Sequence, residues 1–126
     1  MGGDNGIPVE VLPDDTVRLK EDVTFEVVQL CGVTLSVKVP KGFVCDGASI
    51  PRIFWSAVGH PLSGGPLRAA IIHDALCVQA ATRAERRFAD TIFYWVLEQC
   101  CVPYWRRLAL FLAVRAYATF VWKPRA

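Results

Sequence analysis

Asp46, Ser49, His73 and Asp90 place two acids, a hydroxyl and an imidazole in stretches whose other residues are mostly small and apolar. The first two lie in Cys45-Asp46-Gly47-Ala48-Ser49-Ile50-Pro51, and His73 is followed directly by Asp74. A buried polar group without a partner costs about 1–3 kcal/mol, so such a gathering either closes a hydrogen-bond network or builds a site. Two chemistries suit these side chains. His73, Asp46 and Asp90 carry the nitrogen and oxygen donors that zinc or another divalent metal takes. Alternatively, Ser49 activated by His73, with an acid orienting the imidazole, would be a nucleophile and its base. In either case Asp74 and Arg115 would support the set. Cys45 offers a third option, a Cys–His pair, but Cys45 and Asp46 project from opposite sides of an extended segment and do not serve one site together.

Each of these residues also has a plain structural role open to it. Asp46 and Ser49 precede Pro51, so they suit the N-terminus of a short helix, with Gly47 as a permissive turn residue. On a helix beginning at Pro66, His73 shares a stripe with Ala69, Ala70, Leu76 and Cys77, which turns it inward as a core histidine. Asp74 lies roughly 100° around the same helix. Asp90 aligns with Arg86, Phe93, Tyr94 and Leu97, at the border of an apolar stripe. Arg115 falls among Leu108, Phe111, Leu112, Thr119 and Trp122, where an arginine needs an acid because an unpaired buried charge is very costly. Asp90 and Asp74 are its candidates. The His73-Asp74 pair also matches the motif of HD-type metal phosphohydrolases, with His60 upstream and Asp90 downstream. His60, however, sits in a Gly/Pro loop instead of on a helix.

The elements that must hold these residues fall into two halves. After a lead over residues 1–8, the pattern is β from Val9 to Pro40. Val23 to Leu30 and Val33 to Val39 alternate as an antiparallel hairpin with one face on a core, turning near Cys31-Gly32, and Thr16 to Leu19 adds a short strand. Pro13-Asp14-Asp15 and Pro40-Lys41-Gly42 are turns. Residues 41–122 are helical in pattern: Pro51 to Val58, Pro66 to Gln79, a helix opened by the Thr82/Glu85 capping box and running to about Cys101, and a last one from Pro103 to near Trp122. The chain is therefore a single α+β domain, an N-terminal antiparallel hairpin or small sheet packed on a C-terminal layer of three to four helices.

Bulk properties narrow the function classes. The 126 residues suit one domain, and 53% are hydrophobic. A net charge of +2 gives no charge-based case for nucleic-acid binding. The acids gather in residues 1–26 and arginines dominate from Arg83 to Arg125, so two solvated faces of opposite sign are expected, or a basic edge for an anionic partner. Five cysteines without a CxxC pair argue against a disulfide framework and a zinc ribbon, and point to a reducing compartment. Met1 to Gly6 has neither a basic nor an apolar run, so no signal peptide is expected. Leu108 to Val114 is wholly apolar but is closed by Arg106-Arg107 and Arg115, far short of the roughly 20 residues a membrane span needs. It reads as a buried core helix.

Gly42 to Arg52, Arg68-Ala69-Ala70-Ile71-Ile72-His73-Asp74 and Ala89-Asp90-Thr91-Ile92-Phe93-Tyr94 resemble, in order and spacing, the family known as domain of unknown function 1353. The likeness runs from about Val23 to Trp122 and maps onto Asp46, Gly47, Ser49, Pro51, His73, Asp74 and Asp90. It implies a phage or prophage origin and no established activity. Cys45 and His60 fall outside the family pattern. Two functions are compatible with the chain. In the first, it is a virion or tail-associated component, made in the host cytoplasm, with protein partners in a phage assembly; the polar cluster fixes the sheet-to-helix junction, and Trp55, Tyr104 and Trp105 serve assembly contacts. In the second, it is a small hydrolase, metal-dependent or not, acting on cell wall or another lysis substrate through Asp46, Ser49, His73 and Asp90. A catalytic cluster must line a cleft, whereas a structural one is sealed and fully hydrogen-bonded.

Overall fold

Alternation of small or β-branched apolar residues with charged ones builds the N-terminal half as strands. The computed structural model describes residues 7–14, 16–28, 32, 34–45 and 65–125. Strands β1 (Val9–Val11), β2 (Val17–Leu19) and β5 (Val44–Cys45) form a three-stranded sheet in the order β1-β2-β5, and β3 (Val23–Val28) pairs with β4 (Thr34–Val39) as a separate hairpin. All pairings are antiparallel. In the hairpin, Phe25 faces Val37 and Val23 faces Val39 across the ladder. Phe25, Val27, Val37 and Val39 are buried while Thr24, Glu26, Ser36 and Lys38 point to solvent, the period-two division that one covered face requires. In β2, Val17 and Leu19 face inward and Arg18 faces out, bonding Glu10 on β1 at 2.9 Å.

The link from β4 to β5 is a tight turn. The Phe43 N–H donates to the Pro40 carbonyl at 3.1 Å, and Gly42 has φ of 89°. A positive φ at the third turn position is a type II requirement that glycine meets without Cβ strain. The Gly42 N–H then reaches the Leu19 carbonyl at 2.9 Å, tying the turn to β2. The change of period after Gly42 conceals this strand, because two residues are too few to show alternation. Ile7 and Pro8, read as part of a lead, belong to the fold: Ile7 is buried in the core and the Pro8 carbonyl accepts from the Lys20 N–H.

Three helices follow among the described residues: α1 (Gly65–Gln79), α2 (Arg83–Gln99) and α3 (Tyr104–Phe120). The expected α+β architecture is present, with α1 packed on β4 and β5, α2 on α1, and α3 on α2. Covered on both sides, α1 buries Leu67, Ala69, Ala70, Ile71, Ile72, His73 and Ala75. The Thr82 side chain accepts from the Glu85 N–H while the Glu85 carboxylate accepts from the Thr82 and Ala81 N–H groups, so the capping box is formed in full. At its other end α2 closes with Val102 N–H to Leu97 carbonyl and Cys101 N–H to Glu98 carbonyl, and Cys101 has φ of 62°. This is a Schellman closure with a cysteine where glycine is usual, and buried Val102 and Leu97 supply its apolar contact.

Helix α3 differs from the buried core helix expected of it. Among the described elements its main packing is on α2, where it buries Leu110, Val114 and Ala118, an i, i+4 stripe, while Leu112 is 57% exposed. A helix with one neighbour covers a narrow stripe, so an apolar run along it is apolar on its outer side as well. No described helix is long and apolar enough to cross a membrane. Cys77, Cys100 and Cys101 are free thiols. The short helix expected at Pro51 to Val58, the cap residues Asp46 and Ser49, and Cys31, Trp55 and His60 lie outside the described residues.

Candidate functional site

Three helices each bring one turn to a common point. On α1, His73 and Cys77 are four residues apart and share a face; on α2, Arg86 and Asp90 do the same; α3 contributes Arg115. His73 Nε2 lies 2.6 Å from Asp90 Oδ1, and the same oxygen accepts from Arg86 Nε at 3.0 Å. Arg115 Nη1 donates to Asp90 Oδ2 at 2.6 Å. Asp90 is fully buried, and His73 and Arg86 are each 2% exposed. Arg86 is held further by the Val114 carbonyl and by the rings of Tyr117 and Trp122, whose centroids lie 5.5 and 5.8 Å from its guanidinium carbon. The His73 ring packs at 4.8 Å on Phe93.

This arrangement settles the proton on His73 Nε2. A carboxylate oxygen only accepts, so a 2.6 Å contact requires the nitrogen to donate. Cys77 Sγ lies 3.4 Å from that same Nε2 and therefore finds no free lone pair to take its proton. Asp74 Oδ1 sits 3.7 Å from the other ring nitrogen, Nδ1. Burial alone would push the His73 pKa down, but Asp74, Asp90 and Cys77 together hold it well above its ordinary value of 6.5. Carboxylates beside both ring nitrogens favour its protonated form, and an imidazolium is not a general base. Burial likewise opposes charge on Asp90, but His73, Arg86 and Arg115 hold its pKa below the ordinary 3.8.

His73, Cys77 and Asp90 are also a three-donor set, with one ligand atom from each lying within 4.8 Å of the others. Two donors on one tetrahedral zinc, each at about 2.0–2.1 Å, stand about 3.3 Å apart. His73 Nε2 and Asp90 Oδ1, at 2.6 Å, are spaced for a shared proton and would have to separate to hold an ion.

Of the residues singled out in the sequence, His73, Asp74, Asp90 and Arg115 are brought together, and Asp46 and Ser49 lie outside the described residues. Asp90 is not at the border of its stripe but fully buried. Arg86 and Cys77 join the cluster as well. The sequence aligns Arg86 with Asp90 but gives it no site role, and its i, i+4 spacing to that acid, with a second arginine on the next helix, is the signal that could have found it. Cys77 stands at the same spacing from His73.

The chain belongs to the family described as "Protein of unknown function (DUF1353)", which it matches over residues 18–114. It is also similar to the "Uncharacterized protein y4jT" of Sinorhizobium fredii (strain NBRC 101917 / NGR234), at 39% identity over 79 residues. That match takes in 63% of this chain but only 23% of the relative, so the chain spans about a quarter of that longer protein. No solved structure matches the chain.

Proposed function

We propose that the chain is a phage- or prophage-encoded assembly component, associated with a virion or tail, in which the His73–Asp90–Arg115 cluster is a structural pin between three helices. The sealing of that cluster carries the reading. Both Asp90 oxygens already accept hydrogen bonds, and His73 and Asp90 are closed off from solvent. A reacting group needs a substrate beside it, which a satisfied and buried carboxylate does not offer. The outer face of α3 supplies a surface for partners: Trp105, Leu112 and Phe120 are 61, 57 and 83% exposed. Spread over 16 residues of helix, they make a stripe about 22 Å long. Exposed apolar surface of this kind marks contact sites. The phage origin comes from the family resemblance, and the recurrence of a similar segment within a longer bacterial protein fits a module that works joined to other chain.

A tagged chain followed through gradient-purified particles of an induced lysogen is expected to sediment with them. Leu112→Glu should leave it at the top of the gradient with an unchanged Tm. Wild-type chain that never enters the particles would remove the assembly reading.

A small metal-dependent hydrolase is the second reading, favoured by the His73, Cys77 and Asp90 donor set. Near-stoichiometric zinc or another transition metal in chelator-free protein, lost in His73→Ala, would move the cluster from pin to ligand set.

A further inference from the structure

Beside the His73–Asp90 pair, and sharing Arg86 and Arg115 with its cluster, a partly enclosed cavity of about 260 Å³ lies between α2 and α3, lined by Arg83, Arg86, Arg87, Arg115, Thr119 and Trp122, with Ala118 completing the wall. Four arginines line it, and Asp90 is the carboxylate that Arg86 and Arg115 share. Like charges along one wall repel, so their arrangement must be held in place. Arg83 Nη1 donates to the Ala118 carbonyl at 3.1 Å, Arg86 is fixed by Asp90 and Val114, and Arg115 is fixed by Asp90. Three arginines are thus oriented from behind by the protein. Arg115 remains 26% exposed, and Arg87 is exposed at the rim.

We propose that this cavity binds the phosphoryl group of a small anionic ligand. Its chemistry selects the charge and the size. Arginines outnumber the one carboxylate paired with them among the described residues, so the lining favours an anion, and a dianion over a monoanion. Planar guanidinium forks match the oxygens of a phosphate bidentately. The Thr119 hydroxyl adds a polar edge, although it also donates to the Arg115 carbonyl. Trp122, half-buried, gives one apolar wall on which a planar body attached to the phosphate would lie. In this account Asp90 and His73 act through the arginines, positioning them, and touch no ligand. The proposal is independent of whether the α3 stripe serves assembly.

Isothermal titration at low ionic strength with inorganic phosphate, phenyl phosphate and benzoate tests it. Phosphate is expected to bind, and Arg87→Ala to weaken it about tenfold, the loss of one charge-assisted hydrogen bond, at an unchanged Tm because Arg87 is exposed. Arg83→Ala, one turn away on α2, should act in the same direction. Phenyl phosphate binding tighter than inorganic phosphate, with the gain lost in Trp122→Ala, would identify a phosphate ester as the ligand. Equal binding of the two would identify free phosphate. Absence of binding by either phosphate, binding insensitive to both arginine variants, or benzoate binding as tightly as phenyl phosphate would each overturn the proposal.

Discussion

Asp90 is the residue on which the helical half turns. Its carboxylate is buried with no exposure and receives a hydrogen bond from each of three residues on three helices. Replacing a well-paired buried charge by apolar groups of like volume can be neutral, but removing one member leaves the others charged and unpaired. Asp90→Ala is therefore expected to lower the unfolding free energy by about 3–5 kcal/mol, measured as the shift of the urea midpoint at constant slope. Asp90→Asn, which keeps an acceptor of the same shape, should lose less. Equal and small losses from both would show that the network is slack. That His73 turns inward and that Arg115 needs an acid can be reasoned from spacing alone. That one carboxylate serves His73, Arg86 and Arg115 together cannot, because the three come from helices whose relative rotation no local pattern encodes.

Helix ends show how far local chemistry reaches. Thr82 and Glu85 stand at the capping-box spacing, and both reciprocal bonds form, since they lie within one turn and depend on no distant partner. At the far end of α2 the closing position is Cys101, at φ of 62°. A side chain in the left-handed region costs about 1–2 kcal/mol, part of which glycine returns as greater freedom of the unfolded chain. Cys101→Gly is thus expected to raise stability by about 1 kcal/mol, seen as a higher Tm. Cys101 is exposed, so the change removes little packing. A lower Tm would mean that the strain is not there. Helix α3 marks the limit of such reasoning. Its apolar run suggests a helix covered on several sides, yet its burial depends on how many neighbours it has, and among the described elements its main packing is on α2.

At the scale of the whole molecule, the buried His73 ring couples folding to pH. His73 has its folded pKa raised above 6.5, so its contribution is present in full below that value and is lost as pH rises through the higher folded value. Asp90 has its folded pKa depressed below 3.8, so its contribution is present above 3.8 and is lost as pH falls through the lower folded value. Stability should hold between these limits and decline on both sides. Comparing urea unfolding of the wild type with His73→Gln isolates the alkaline limb. Above pH 6.5 the wild type is expected to lose stability that the variant, with no titrating ring, does not. Parallel curves would mean that His73 is neutral when folded.

Composition, spacing and turn chemistry by themselves determined the α+β class, the β3–β4 hairpin, the three described helices and the capping box of α2, because each rests on contacts within a few residues along the chain. Only the tertiary structure decided the rest: β5 pairing with β2, the exposure of the outer face of α3, Asp90 as the shared acceptor, and the four arginines around one cavity. These depend on which helix faces meet, and that is fixed by packing the whole core of α1 between sheet and α2. Arg86 makes the difference plain. In the sequence it is one of several arginines that solvent could cover, and in the fold it is as buried as His73.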